Sequence, residues 1–281
     1  MNLFNSCLLI IFSLNAQHIA IIVPGTWAAQ EIWHTPTGDF FKEVKRAADD
    51  LNMQVITYNW SGKLSYDARV QAANGLVTLM LSYPVGTTFT IIAHSHGGNV
   101  VYQASAQLYN RGYRHYIKAV YSLATPCSEL EIVPNMAVIE YLYHFFSYAD
   151  LVQTVHGMYD RTVPVHCRCA NLRILINNRE PNHSTMHQPI IGAWLLYVHE
   201  YYIRNKISSF ANFEHQKPGI ILLFPFLEPR YQVDEEREQD LVLDRKFMHQ
   251  LSTSAFERSF NPIFTENEDP DFYERSSFLT A

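Results

Sequence analysis

Residues 87–98 read TTFTIIAHSHGG, and this stretch decides the fold. Thr87–Ala93 is a β-branched, apolar run of strand length, and a helix is expected over 98–111 immediately after it. Between them lies Ala93-His94-Ser95-His96-Gly97-Gly98. A serine in so tight a strand-to-helix turn holds a strained backbone that pushes its hydroxyl out over the sheet. The residues two places away on either side, Ala93 and Gly97, are small, as the close approach of strand and helix requires. The amides that open the helix point at the space beside the serine, where an oxyanion would form.

Outward from this turn, short apolar runs alternate with longer amphipathic stretches. His18–Val23 is a continuous apolar run ended by Pro24-Gly25, as suits a strand buried on both faces. Residues 37–52 read as a helix, with Phe40, Phe41, Val44, Ala47, Ala48 and Leu51 at helical spacing. A strand over 54–58 and a helix over 66–83 lead into the strand at 87–93. Further strands are expected at 117–123, 142–148 and 171–177, and a last helix at 186–204. Such alternation implies a mostly parallel sheet of six or more strands with helices on both faces. Beyond 205 the rhythm stops. Gly219–Leu227 is an apolar run interrupted by Pro225, suited to a buried strand or a docking segment, and the remainder reads as an irregular extension.

Composition narrows the function classes. The chain has 281 residues, 48% hydrophobic and 17% charged, too apolar for disorder and sufficient for one substantial core. Residues 1–228 hold 15 basic and 15 acidic side chains, whereas 229–281 hold 6 and 12, so the whole net charge of −6 lies in the tail. That balance argues against nucleic-acid binding. No apolar run is long enough for an integral membrane span. Residues 3–14 have the length of a signal-peptide core, although no Lys or Arg precedes Lys42. Export to a secreted or periplasmic location is the favoured reading; a buried first strand in a cytoplasmic protein is the rival. The expected organisation is therefore a candidate signal peptide at 1–16, an α/β domain at 17–205, and an acidic, aromatic-containing extension at 206–281.

Ala93–Gly98, between strand and helix, resembles the nucleophile elbow of the α/β-hydrolase superfamily, in its small lipase and esterase branch. Ala93 replaces the first glycine of the family's G-x-S-x-G. The resemblance covers residues 18–204 and implies a Ser-Asp-His triad. In the family's order the acid and the base follow the serine at the ends of later strands. Asp150 after the 142–148 strand and His183 after the 171–177 strand occupy those places, with Asp160 and His187 as the rivals. Val23-Pro24-Gly25-Thr26 stands where the family supplies an oxyanion amide. Thr26 is the candidate, Trp27 its competitor, and the amide of His96 the second donor. The rings of His94 and His96 are expected to line the acyl or alcohol pocket.

The resemblance implies hydrolysis of a small-molecule ester or lipid through an acyl-enzyme, with no metal and no organic cofactor. His156, His166, Cys167 and Cys169 concentrate soft ligands, but their spacing matches no standard zinc site, and packed side chains are the favoured reading. Cys127 could reach Cys167 or Cys169, whereas Cys7 would leave with a signal peptide. Apolar residues of 127–145 (Leu130, Ile132, Val133, Met136, Val138, Ile139, Leu142) are read as an apolar wall near the site or as packing on the sheet. The alternative function is an inactive hydrolase-fold protein that binds through its C-terminal extension. Acyl length, the choice among ester, thioester and amide, and oligomeric state are not legible in the sequence.

Overall fold

The computed structural model describes residues 17–128, 133–153, 159–164, 166, 168–204, 219–223, 230–232 and 241–242. The candidate signal peptide, Cys7, Leu130, Ile132, His156, Cys167 and most of the C-terminal extension lie outside the described residues. In chain order the elements are β1 (His18–Val23), α1 (Asp39–Asp50), β2 (Gln54–Thr57), α2 (Tyr66–Leu81), β3 (Thr88–His94), α3 (His96–Asn110), β4 (Ile117–Leu123), β5 (Ile139–Phe146), β6 (Cys169–Ile176) and α4 (Pro189–Arg204). Three further strands follow, β7 (Gly219–Leu223), β8 (Arg230–Gln232) and β9 (Leu241–Val242).

One sheet holds all of them in the order β2-β1-β3-β4-β5-β6-β7-β8-β9. The strands from β2 to β7 run parallel, and β8 and β9 are antiparallel. The sheet thus continues past residue 205, where the sequence rhythm ended. Gly219–Leu223 takes the strand option rather than the docking one, and the pairs that recruit it, Leu172 with Gly219 through Ile176 with Leu223, are contacts between distant parts of the chain.

Alternation along the strands supplies two covered faces. Ile19, Ile21, Val23, Ile91, Ala93, Val120 and Leu142 pack with Ala72, Leu76 and Val77 of α2 and Val100, Val101 and Ala104 of α3. Tyr121 and Tyr143 turn to the other face, where their hydroxyls bond the Leu196 carbonyl and the His199 ring of α4. Both faces being dry explains why the strands read as unbroken apolar runs. Gly192 lets α4 cross α1 closely, since a Cβ there would lie 2.9 Å from the Phe40 carbonyl oxygen.

Met136, Val138, Ile139 and Leu142, read from sequence as a wall beside the site or as sheet packing, belong to the buried core. Met136, Val138 and Ile139 lie at or before the start of β5, at the opposite end of the sheet from Ser95, Leu142 lies within the strand, and the packing alternative holds for all four.

The sheet order reverses beside β1. The chain steps outward from β1 to β2 and then returns to place β3 on the other flank of β1. Loops leaving neighbouring strands at such a point diverge and leave a crevice at the carboxyl ends of the strands. The Pro24–Thr26 loop after β1 and the Ser95 turn after β3 meet there.

Candidate active site

Ser95 adopts φ 53° and ψ −135°, an unfavourable conformation for a residue with a side chain. The surroundings hold it. Its amide donates to the Leu123 carbonyl (2.9 Å), and its carbonyl accepts the Gly98 amide (2.9 Å). The glycine pair permits this packing. A Cβ on Gly97 would lie 2.4 Å from the Val23 carbonyl oxygen, and one on Gly98 would lie 2.0 Å from Thr125 Oγ1. The turn is wedged between the end of β1 and the residues after β4, so the sequence needs glycine at both places.

Asp150 and His183 come to this serine from 55 and 88 residues along the chain. Ser95 Oγ lies 2.9 Å from His183 Nε2, and His183 Nδ1 lies 2.8 Å from Asp150 Oδ2. Asp150 is fully buried, and its other oxygen accepts the amides of Val152 (2.9 Å) and Gln153 (3.3 Å). A carboxylate so placed accepts Nδ1–H, which leaves Nε2 unprotonated and able to accept the serine hydroxyl proton. His183 opens a short 3-10 turn, His183–His187, capped by Asn182, whose side chain accepts the Thr185 amide (3.0 Å).

The rivals lie elsewhere. Asp160 exchanges backbone hydrogen bonds with Cys127 (2.7 and 3.0 Å). His187 stacks on Trp33, ring centroids 4.4 Å apart, and meets His94 edge-on at 5.0 Å.

The flanking histidines are both buried among neighbouring side chains. The His94 ring is buried against Trp33, His183 and His187. Burial, followed by the neighbouring His183 and His187, pushes its pKa well below the usual value, so it is neutral. Its Nε2–H donates to the His183 carbonyl (3.1 Å), bracing the backbone of the residue that touches Ser95. Nothing local in the sequence signals that brace, because its acceptor lies 89 residues away. The His96 ring bonds Asn99 Oδ1 through Nδ1 (3.1 Å), and Asn99 in turn holds the Pro126 carbonyl (3.0 Å). Burial and then the charge of Arg69 lower His96 to about 4.

On the β1 side, Gly25 packs directly on Ser95, since a Cβ there would lie 2.7 Å from Ser95 Cβ and 3.4 Å from Oγ. The Trp27 amide donates to the Gly62 carbonyl (3.0 Å) and is therefore spent. Neither the Thr26 amide nor the His96 amide has a partner among the described residues. Trp60 Nε1 holds the Pro24 carbonyl (2.7 Å) and fixes this loop.

Among the described residues no three His, Cys, Asp or Glu side chains are gathered as a metal site. His166 Nδ1 accepts the Arg168 amide (3.1 Å). Cys127 and Cys169 are buried free thiols, and burial raises the pKa of each. Cys127 therefore does not bridge to Cys169.

The reversed strand order, the strained serine between β3 and α3, and the acid and histidine loops after β5 and β6 define an α/β-hydrolase fold. No family model and no curated protein matches the sequence. Solved structures similar to the chain include one of two fungal esterases from Rhizomucor miehei, with 10% identity over 70% of this chain and 76% of that one and a TM-score of 0.41. Another is mouse alpha/beta hydrolase domain-containing protein 10, with 12% identity over 67% and 90% and a TM-score of 0.40. A metagenomic carboxyl esterase is similar at 13% identity over 58% of this chain, with a TM-score of 0.32. The chain spans half the length of that esterase.

Proposed function

We propose that this protein is a serine hydrolase that cleaves carboxylic esters of small apolar substrates through an acyl-enzyme. The observation that carries the reading is the hydrogen-bonded series Ser95–His183–Asp150, joined to a serine held at positive φ. His183 Nε2 takes the hydroxyl proton as Ser95 Oγ attacks the ester carbonyl, and Asp150 stabilises the imidazolium that forms. The amides of Thr26 and His96 donate to the oxyanion, and His183 then gives its proton to the leaving alcohol. Water enters the alcohol's place, loses a proton to His183, and attacks the acyl carbon. When this second oxyanion collapses, Ser95 recovers its proton and the acid leaves.

The rim supports an apolar acyl group. Trp27 (75% exposed), Ile32, Leu64 and Leu151 (72% exposed) lie on loops that leave β1, β2 and β5 at the end of the sheet where Ser95 sits, and exposed Tyr66 opens α2 after the β2 loop. A strongly charged substrate would find little to pair with among these side chains.

Hydrolysis of a p-nitrophenyl ester series by the wild type and by Ser95→Ala tests the reading. The wild type is expected to turn over these esters, and Ser95→Ala to lose several powers of ten in kcat. Retention of a tenth of the wild-type rate by Ser95→Ala overturns the assignment. A folded wild type without turnover moves the binding-protein alternative to the front.

A further inference from the structure

The acid and histidine loops are joined at a second place. Glu180 precedes His183 by three residues, and Ser147 precedes Asp150 by three. Glu180 Oε2 accepts both the Ser147 hydroxyl (2.7 Å) and the Tyr148 amide (2.9 Å). Its other oxygen, Oε1, pairs with Arg173 Nε (2.5 Å) on β6. Ser147 is fully buried, and its Oγ also accepts the Ala149 amide (3.1 Å). The side chain of Glu180 is only 19% exposed, so these are partly desolvated, charge-assisted contacts.

The local backbone delivers Glu180 to this spot. Ile176 and Arg179 exchange backbone hydrogen bonds (2.9 and 3.0 Å) around Asn177 and Asn178, both at positive φ (51° and 59°). That pair of left-handed residues makes a tight reversal at the end of β6, and asparagine tolerates the conformation well. The chain then continues through buried Pro181 to the Asn182 cap and His183. Two links therefore close a ring: Asp150 with His183 at one end, and Ser147 and Tyr148 with Glu180 at the other.

We propose that Glu180 is a positioning residue, a strap whose Oε2 fixes the Asp150 turn against the His183 loop. The inference rests on the catalytic reading of Ser95, Asp150 and His183. Its own content is separate, because Arg173 needs only Oε1, whereas Oε2 is spent entirely on the acid turn. A loop freed at one end moves its side chain by fractions of an ångström, and misplacement of that order slows a positioned proton transfer strongly.

The test compares the wild type, Glu180→Ala, Ser147→Ala and the double variant of the full chain. Two readouts are used: kcat and KM on a soluble p-nitrophenyl ester, and the far-downfield proton resonance of the His183 Nδ1–H···Asp150 hydrogen bond. Glu180→Ala is expected to lower kcat about tenfold or more, with KM changed less than about twofold, and to broaden the resonance. Ser147→Ala is expected to move both in the same direction, and the double variant to be no worse than Glu180→Ala alone. A folded Glu180→Ala with wild-type kcat and a sharp resonance overturns the proposal, whatever its melting temperature, and leaves Glu180 as the partner of Arg173 only. Should Glu180→Ala fail to fold, an unchanged kcat and resonance in Ser147→Ala overturn it equally. The resonance needs no substrate. A wild type that hydrolyses no ester therefore counts against the proposed function, while the resonance still decides the strap.

Discussion

The turn between β3 and α3 and the paired loops after β5 and β6 bring groups to one point by different means. At the turn, the backbone itself is the device. Ser95 is forced to φ 53° between two elements, and glycines at 97 and 98 admit the neighbouring β1 loop and Thr125. In the loops neither Asp150 nor His183 has a positive φ, and position comes from side chains reaching between distant segments. Asp150 meets His183, Glu180 meets Ser147, and His94 meets the His183 carbonyl, over separations of 33, 33 and 89 residues. The serine turn is built from six consecutive residues; the Asp150–His183 pair needs the tertiary fold.

The largest expected effect comes from removing the His183 or Asp150 side chain while leaving the turn alone. His183→Ala is expected to lower kcat on soluble esters by about five to six powers of ten, and Asp150→Ala by about four. Both variants should keep the strained turn, because no backbone contact of Ser95 depends on them. Steady-state kinetics at matched protein folding, checked by near-UV circular dichroism, reads this. Equal activity of His183→Ala and the wild type would mean that the two regions do not cooperate.

A smaller effect probes the turn's own side. Replacing the Thr26 amide by an ester linkage deletes one donor without altering a side chain, and is expected to reduce kcat about a hundredfold. The same replacement at Trp27, whose amide is spent on Gly62, is expected to leave kcat within about twofold and to lower stability by about 1 kcal/mol. Reversal of that order would assign the oxyanion donor to Trp27.

The smallest effect separates stability from catalysis. Burial lowers His18, His96 and His144 to about 4 and His199 to about 3. These groups are neutral in the folded chain and titrate near their ordinary value of about 6.5 once unfolded. Between those values the unfolded chain binds more protons, so stability is complete above about pH 6.5 and declines as pH falls toward 4. The urea midpoint is expected to drop between about pH 7.5 and about pH 5, and a constant midpoint would contradict this linkage.

The same contrast explains what could be read from the sequence. The strand, the serine, the small neighbours and the following helix were legible because their causes lie within a dozen residues. Asp150 and His183 were placed by their order and by the ends of their strands, and the structure brings both to Ser95. The sequence pattern extends the last helix from 186, but the chain first makes a 3-10 turn and starts α4 at Pro189, where proline suits the first helical position. Met136 and Ile139 are apolar for the core, and apolarity alone does not say which end of the sheet a residue serves. The roles of His94 and Glu180 were invisible because each depends on an acceptor or donor across the fold. The sequence leaves 219–227 open between a strand and a docking segment, since β7 is a strand by virtue of its pairing with β6.

Labelling with a fluorophosphonate probe, followed by intact mass and peptide mapping, tests the central claim most directly. One adduct per chain is expected, on the peptide carrying Ser95, and its loss in His183→Ala. A folded protein that takes up no probe, or takes it up at another residue, would contradict the claim that this turn holds an activated serine.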